Sequence, residues 1–252
     1  MLGTYGATFV IADIATAHLN IITGALLHSI IIVTAVAHAM LLEETRSWAE
    51  RRTDISLMLF LVCLPLADLT RLVALGLPLE HLPIEARPGI VAIILAVGVV
   101  STLRAIGISR QEMGLWLAGA RPEVLMAMSG LPLGLLGSTL ASPSQPIQDR
   151  GSVAVLLWAV AVGCVGAVEE MIFRGLLQRV AARVLGWIAV PFTAILSSTA
   201  VLSERSLSLV LYAVLVSLIF GAWVHRYHRI TGVLIAHSLM AAGMFVVWPV
   251  LL

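Results

Sequence analysis

Apolar residues run through the sequence in long blocks, and polar residues collect in the short breaks between them. Blocks of about 18 or more apolar residues are typical of helices that cross a membrane. The pattern predicts eight spans, at Leu19–Leu42, Ile55–Leu77, Gly89–Ile108, Val124–Leu140, Val153–Leu177, Trp187–Leu202, Leu207–Val224 and Thr231–Leu252. Residues before about Leu19 are predicted to form a mildly amphipathic lead-in. The Pro- and Gly-bearing segments Leu82–Gly89 and Ser142–Gly151 are predicted to be loops.

Composition agrees with a membrane protein. Hydrophobic residues make up 60% of the chain and charged residues 12%, whereas a soluble domain carries roughly 25% charged residues. The formal net charge is +1, so no bulk charge indicates a nucleic-acid partner. We therefore predict an all-α, polytopic helical bundle with about eight transmembrane helices, forming a single domain over residues 1–252, with the lipid bilayer as its surroundings.

Arginine is distributed unevenly between alternate connections, and this bias predicts an orientation. The odd-numbered connections contain Arg46, Arg51, Arg52, Arg104, Arg110, Arg121, Arg179, Arg183, Arg226 and Arg229. The even-numbered connections contain Arg87, Arg150 and Arg205. Because cytoplasmic loops are enriched in Lys and Arg, we expect a multi-pass protein of the cell membrane with its odd connections in the cytoplasm and both termini outside.

Charged residues inside the predicted spans are the first candidates for function, because an ionisable group at the bilayer centre costs about 2.5–3.5 kcal/mol. Asp68 and Arg71 lie three positions apart, so they can pair on one helix face or form a polar wall of a buried site. Glu169, Glu170 and Arg174 form the second cluster. Either this cluster is a charged helix end at the membrane surface, or it is a site.

Helix geometry predicts different roles for the two carboxylates of the second cluster. Glu170 and Arg174 are one turn apart and stack, and Gln178 continues their stripe. Glu169 is rotated by about 100° and faces another direction. We expect Arg174 to neutralise and orient Glu170. Glu169 is then free to hold a water molecule or a metal ion, and it can act as a general base on the water.

These residues resemble the signature of the CPBP family, the CAAX prenyl endopeptidases and bacteriocin-processing (Abi) intramembrane metalloproteases. That signature is Glu-Glu-x-x-x-Arg with an aromatic residue before the Arg and usually a Gly after it. This chain has Glu169-Glu170-Met-Ile-Phe173-Arg174-Gly175. A second stretch, around His237, resembles the family's last conserved helix with its His-x-x-x-Asn-like motif. The resemblance covers a core of about residues 153–247.

The resemblance implies a hydrolase, namely a membrane metalloendopeptidase of the CAAX protease type that cleaves membrane-embedded or lipid-anchored peptides. Glu169 would activate water and help to bind a divalent metal ion, most simply zinc, with His237 as a further ligand. Glu170 and Arg174 would shape the site. Proteolysis inside a membrane needs such an assembly, because water must be held away from lipid.

The sequence departs from the family pattern at two positions. Val201 stands where the family has an intermediate His, and Ala241 stands at the Asn-like position. A catalytic zinc usually keeps three protein ligands, so Glu169 and His237 alone are too few. Glu204 could supply an oxygen ligand, or it could simply pair with Arg205 at a loop edge.

Three functions therefore remain open. The first is the endopeptidase. The second is a non-catalytic relative that keeps the fold for bacteriocin immunity or for scaffolding of a partner. The third is a small transporter lined by the charged residues of the spans, although the sequence has no repeated halves of the kind that many transporters show.

Overall fold

The computed structural model of the chain describes residues 1–44, 51–76, 79–116, 120–141 and 151–251. None of these residues lies in a β-strand. The helices are α1 (Leu2–His18), α2 (Ile21–Glu44), α3 (Arg51–Gly76), α4 (Arg87–Ile106), α5 (Ala120–Met128), α6 (Gly130–Ala141), α7 (Ser152–Glu170), α8 (Gln178–Leu185), α9 (Ala189–Ser198), α10 (Leu207–Tyr227), α11 (Thr231–Ala242) and α12 (Trp248–Leu251). Short turns Leu79–His81, Gly186–Ile188 and Thr199–Glu204 are 3₁₀-helical, and Met171–Leu177 and Gly243–Val247 are π-helical.

The prediction of an all-α membrane bundle is confirmed. Five helical stretches within the described residues are long and apolar enough to cross a membrane. They are Ile21–Leu41, Arg87–Ile106, Arg121–Leu140, Ser152–Glu204 and Leu207–Tyr227. The fourth stretch, at 53 residues, contains two of the predicted spans. The chain is therefore an integral membrane protein.

Some predicted boundaries differ from the structure. The predicted span that ends at Leu177 continues through the π-helical turn Met171–Leu177 into α8. No Gly or Pro lies between Leu177 and Gly186, whose φ of 57° ends the helix. The predicted loop over residues 142–150, with Arg150, lies outside the described residues, as does Arg46.

The predicted lead-in before Leu19 forms helix α1, which packs against α2. Asn20 separates α1 from α2 and caps α2, since its side-chain oxygen accepts a hydrogen bond of 2.7 Å from the Thr23 amide. The two helices pack as a hairpin, and the Tyr5 hydroxyl donates to the Thr34 carbonyl. The amino terminus therefore lies beside the carboxy-terminal half of α2.

Helix α11 lies at the centre of the carboxy-terminal half, packed against α5, α6 and α7. Glycines face α11 from two sides. They are Gly130 and Gly134 on α6 and Gly163 and Gly166 on α7. A Cβ at any of these positions would contact an α11 residue. Small residues of this kind let helices approach closely in a membrane. The packing fixes both the position and the rotation of α11.

A buried carboxylate fixes the start of α11. Glu123 of α5 is 5% exposed, and its Oε2 accepts a 2.5 Å hydrogen bond from the Gly232 amide in the first turn of α11. The first amides of a helix have no partner within the helix, and a negative charge there is favoured by the helix dipole. Helix α11 is thus held along its length by glycines and at its amino end by a charge.

Candidate active site

The end of α7 and the middle of α11 bring three of the predicted site residues together. Glu170 is 3% exposed and Arg174 is 1% exposed. Glu170 Oε2 lies 3.4 Å from Nε of Arg174, and Glu170 Oε1 lies 2.8 Å from Nδ1 of His237. One carboxylate therefore joins a guanidinium on its own helix to an imidazole that is 67 positions away in sequence.

Arg174 and Gln178 anchor this helix to α10. Arg174 donates to the Ser217 carbonyl at 3.2 Å, and the Gln178 side-chain amide donates to the Gly221 carbonyl at 2.8 Å. Arg174 lies inside the π-helical turn. Such turns are rare and are found frequently at functional sites. The stripe predicted for Glu170, Arg174 and Gln178 thus faces α10 and α11.

The hydrogen bond to Glu170 fixes the orientation of the His237 ring. An ionised carboxylate only accepts hydrogen bonds, so Nδ1 of His237 carries a proton and donates a hydrogen bond to Glu170. The ring also packs against Phe220, with 6.0 Å between ring centroids. Nε2 is then the nitrogen that remains for a ligand, which is the usual result of such a second interaction.

Glu169 is half-buried and lines a cavity of about 610 Å³ together with Glu170 and His237. No ion pair or hydrogen bond of its side chain is found among the described residues, whereas Glu170 binds Arg174 and His237. The walls are mainly apolar and aromatic, with hydroxyl groups from Ser197, Ser198 and Ser217. A carboxylate beside an oriented imidazole in an apolar cavity can take up a proton from a bound water.

Two further predicted site residues, Arg71 and Glu204, also lie around this cavity. Both contribute to its wall, and Glu204 is exposed. The alternative ion pair of Glu204 with Arg205 is not found among the described residues. The Arg205 guanidinium donates instead to the Ala17 carbonyl at the end of α1. Val201 and Ala241, where the sequence departs from the family pattern, line the same cavity as Glu169 and His237.

The predicted local pair of Asp68 and Arg71 is replaced by contacts with other helices. Arg71 binds Asp13 of α1, with 3.2 Å between Nε and Oδ1, and Asp68 contacts His28 of α2, with 2.6 Å between Oδ1 and Nδ1. Sequence reasoning missed Asp13, because the lead-in was placed outside the bundle. An aspartate on the Phe9 and Ala12 face of an apolar segment was the available signal.

The comparisons with known proteins find one match, to a protein family. Residues 151–243 match the family model described as type II CAAX prenyl endopeptidase Rce1-like. This segment is similar to that family, and it is called the Rce1-like domain below. No curated protein and no solved structure matches the chain. The resemblance predicted from Glu169, Glu170, Arg174 and His237 is confirmed at the level of the family, and the Rce1-like domain runs from the start of α7 to the end of α11.

The side chains of the Rce1-like domain do not complete a metal site. Among the residues that the structure describes, no group of three or more His, Cys, Asp or Glu is placed to hold a metal ion. The cavity offers the Glu169 carboxylate and Nε2 of His237, whereas a catalytic zinc usually takes three protein ligands. A reaction step through zinc therefore has no support in these residues, and the zinc ion that the resemblance implies is untested.

Elemental analysis of purified protein tests the metal directly. We expect the wild type to hold well under one zinc per chain, and the double variant Val201→His with Ala241→Asn to approach about one, because it adds two donors to the cavity wall. Val184→His, on the exposed face of α8, is the control. Stoichiometric zinc in the wild type that is lost in His237→Ala would contradict this expectation and support a zinc enzyme.

Gly166 is expected to be essential for the position of His237. A Cβ at Gly166 would lie 2.9 Å from Cδ2 of the His237 ring, so Gly166→Ala displaces the ring. A misplacement of about 1 Å can cost about 10²-fold in rate. Gly163→Ala on the same helix is the matched control, since its Cβ would lie 3.4 Å from the nearest atom, the Ser238 carbonyl oxygen. Equal cleavage rates for the two variants would contradict this role.

Proposed function

We propose that the chain is an intramembrane endopeptidase that hydrolyses a peptide bond in a lipid-anchored or transmembrane peptide, with Glu169 as the general base. The observation that carries this proposal is the cavity itself. It lies within the helical bundle and places a half-buried carboxylate, Glu169, next to the oriented ring of His237. The match of residues 151–243 to the Rce1-like family supports the same class of reaction.

In the proposed reaction Glu169 takes a proton from a water molecule, and the water oxygen attacks the carbonyl carbon of the peptide. The carbon–nitrogen bond then breaks, and the proton passes to the departing amine. Glu170 holds His237 so that its Nε2 lies beside the reacting groups. The serine hydroxyls on the cavity wall are the candidate donors to the carbonyl oxygen while it carries negative charge.

The apolar cavity wall favours a substrate that reaches the site from the membrane. Trp158, Phe173 and Phe220 belong to that wall, and apolar pockets with few polar groups suit ligands of similar character. A lipid anchor would hold the peptide at the membrane and raise its local concentration. Water-soluble peptides of the same sequence lack that advantage.

The test is a comparison of one peptide in two forms, with and without a lipid anchor, incubated with the protein in nanodiscs. Mass spectrometry would identify the products. The proposal predicts cleavage of the anchored form at one or a few bonds, and little or no cleavage of the free form. The absence of cleavage across a broad set of anchored peptides would count against an endopeptidase.

A non-catalytic role is the second candidate, and the specific observation in its favour is the apolar side chains of Val201 and Ala241 on the cavity wall. In this case the cavity binds a membrane peptide without cutting it. Photo-crosslinking of an anchored peptide, in the same nanodiscs, distinguishes the two candidates. Crosslinking to α7 or α11 without any product formation favours a binding protein.

We also propose a cell-membrane location in which the carboxy terminus lies outside. The amino terminus is proposed to lie on the cytoplasmic side, because the hairpin of α1 and α2 places Tyr5 beside His38, near the end of α2 that the arginine bias assigns to the cytoplasm. Cysteine labelling at Gly3→Cys, in a Cys164→Ser background, tests this side. Labelling by an impermeant thiol reagent from outside the cell would overturn it.

A further inference from the structure

Outside the Rce1-like domain, a histidine lies completely buried between two aspartates. His28 of α2 and Asp68 of α3 are both 0% exposed, and Asp13 of α1 is 5% exposed. Nδ1 of His28 lies 2.6 Å from Asp68 Oδ1, and Nε2 lies 3.3 Å from Asp13 Oδ1. Both ring nitrogens therefore face carboxylate oxygens, one from each neighbouring helix.

This arrangement requires one more proton than three groups in their ordinary states would hold. A neutral imidazole has one N–H and one lone pair, and an ionised carboxylate has only lone pairs. A neutral ring would thus turn a lone pair towards one of the two carboxylates, which is repulsive. The repulsion disappears if the ring is protonated on both nitrogens or if one aspartate is protonated.

The charge balance leads to the same result. The charged groups that face His28 are Asp13 from α1 and Asp68 from α3, and Arg71 lies one turn further along α3 and binds Asp13. Two carboxylates and one guanidinium leave one negative charge. One added proton makes the cluster neutral, and uncompensated charge in a bilayer is costly.

We propose that Asp13, His28 and Asp68 form a proton-binding site within the membrane. In the folded protein the site holds one proton more than a neutral His28 and two ionised aspartates would hold. The site joins α1, α2 and α3. Its ligand is a proton, and the site exists whether or not the chain cleaves peptides.

The proton-binding site is connected to the wall of the cavity. Arg71, which Asp13 holds, also donates to the Leu196 carbonyl at 3.0 Å and lines the cavity. The Thr199 hydroxyl, at the end of α9, donates to Asp13 Oδ2 at 2.5 Å. Loss of the proton would leave one uncompensated negative charge on the aspartates, one of which Arg71 and Thr199 contact.

The test is the protonation state of His28 in the wild-type protein, measured by NMR on isotope-labelled histidine in nanodiscs. The pH is set well above about 6.5, the ordinary pKa of histidine. His28→Gln identifies the His28 signal by its loss, and His38→Gln, on the same helix, is the control. If His28→Gln does not fold, Asp68→Asn identifies the signal by its shift, because the partner of Nδ1 loses its negative charge.

Infrared spectroscopy of the same samples reports the aspartates. A His28 ring that carries protons on both nitrogens supports the proposal. So does a protonated carboxyl band that is missing in Asp13→Asn or Asp68→Asn. A singly protonated His28 ring together with two ionised aspartates would overturn it.

Discussion

Replacing Glu169 by Gln is expected to lower peptide cleavage by about 10²–10⁴-fold, the usual contribution of a general base. The amide has nearly the same size as the carboxylate but cannot accept a proton from water. Glu169 lines the cavity and has no ion-pair partner among the described residues, so the fold should survive the change. The measurement is the rate of product formation from an anchored peptide in nanodiscs.

Glu204→Gln is the matched control for this prediction. Glu204 is also a carboxylate on the cavity wall, but it is exposed and lies near the rim. We expect Glu204→Gln to cleave at nearly the wild-type rate. If instead Glu204→Gln abolished cleavage and Glu169→Gln did not, the roles of these two carboxylates would have to be exchanged.

Replacing Arg174 by Met is expected to lower the free energy of unfolding by about 3–5 kcal/mol. The side chain is 1% exposed, and its guanidinium is the cation next to the buried Glu170. Without it, Glu170 remains a buried carboxylate whose side-chain partner among the described residues is His237 alone. Thermal unfolding in detergent, together with a denaturant titration, measures the change in the free energy of unfolding.

Two further variants separate the ion pair from the loss of a side chain. Arg183→Met, on the exposed face of α8, is expected to change stability by no more than about 0.5 kcal/mol. The double variant Arg174→Met with Glu170→Gln should recover part of the loss, because no unpaired charge remains. A double variant as unstable as Arg174→Met alone would show that packing, and not charge, dominates.

Much of the fold follows from the sequence because the bilayer restricts the choice of structure. Backbone groups inside lipid must be satisfied within the helix, so an apolar block such as Leu207–Val224 has one reasonable interpretation. The exceptions are informative. Helix α1 carries Asp13 in an otherwise apolar segment, and the sequence alone did not identify it as part of the bundle. It packs against α2 and against the turn Thr199–Glu204, and that turn is distant in sequence.

The site could be predicted only where it is local. The spacing of Glu170 and Arg174 indicates a contact within one helix, and the structure places them 3.4 Å apart. The contact of Glu170 with His237 joins residues of α7 and α11, and helix periodicity contains no information about such a pair. His28 illustrates the same limit. Its partners Asp13 and Asp68 come from two other helices.

The central claim is that this protein hydrolyses a peptide bond with water activated at Glu169. The most direct test is to run the cleavage of an anchored peptide in heavy-oxygen water, with wild-type protein and Glu169→Gln side by side, and to weigh the products by mass spectrometry. We expect the wild type to place one heavy oxygen in the new terminal carboxylate of the product. We expect Glu169→Gln to form this product at least about 10²-fold more slowly. Equal product formation by both proteins, or no product from the wild type, would contradict it.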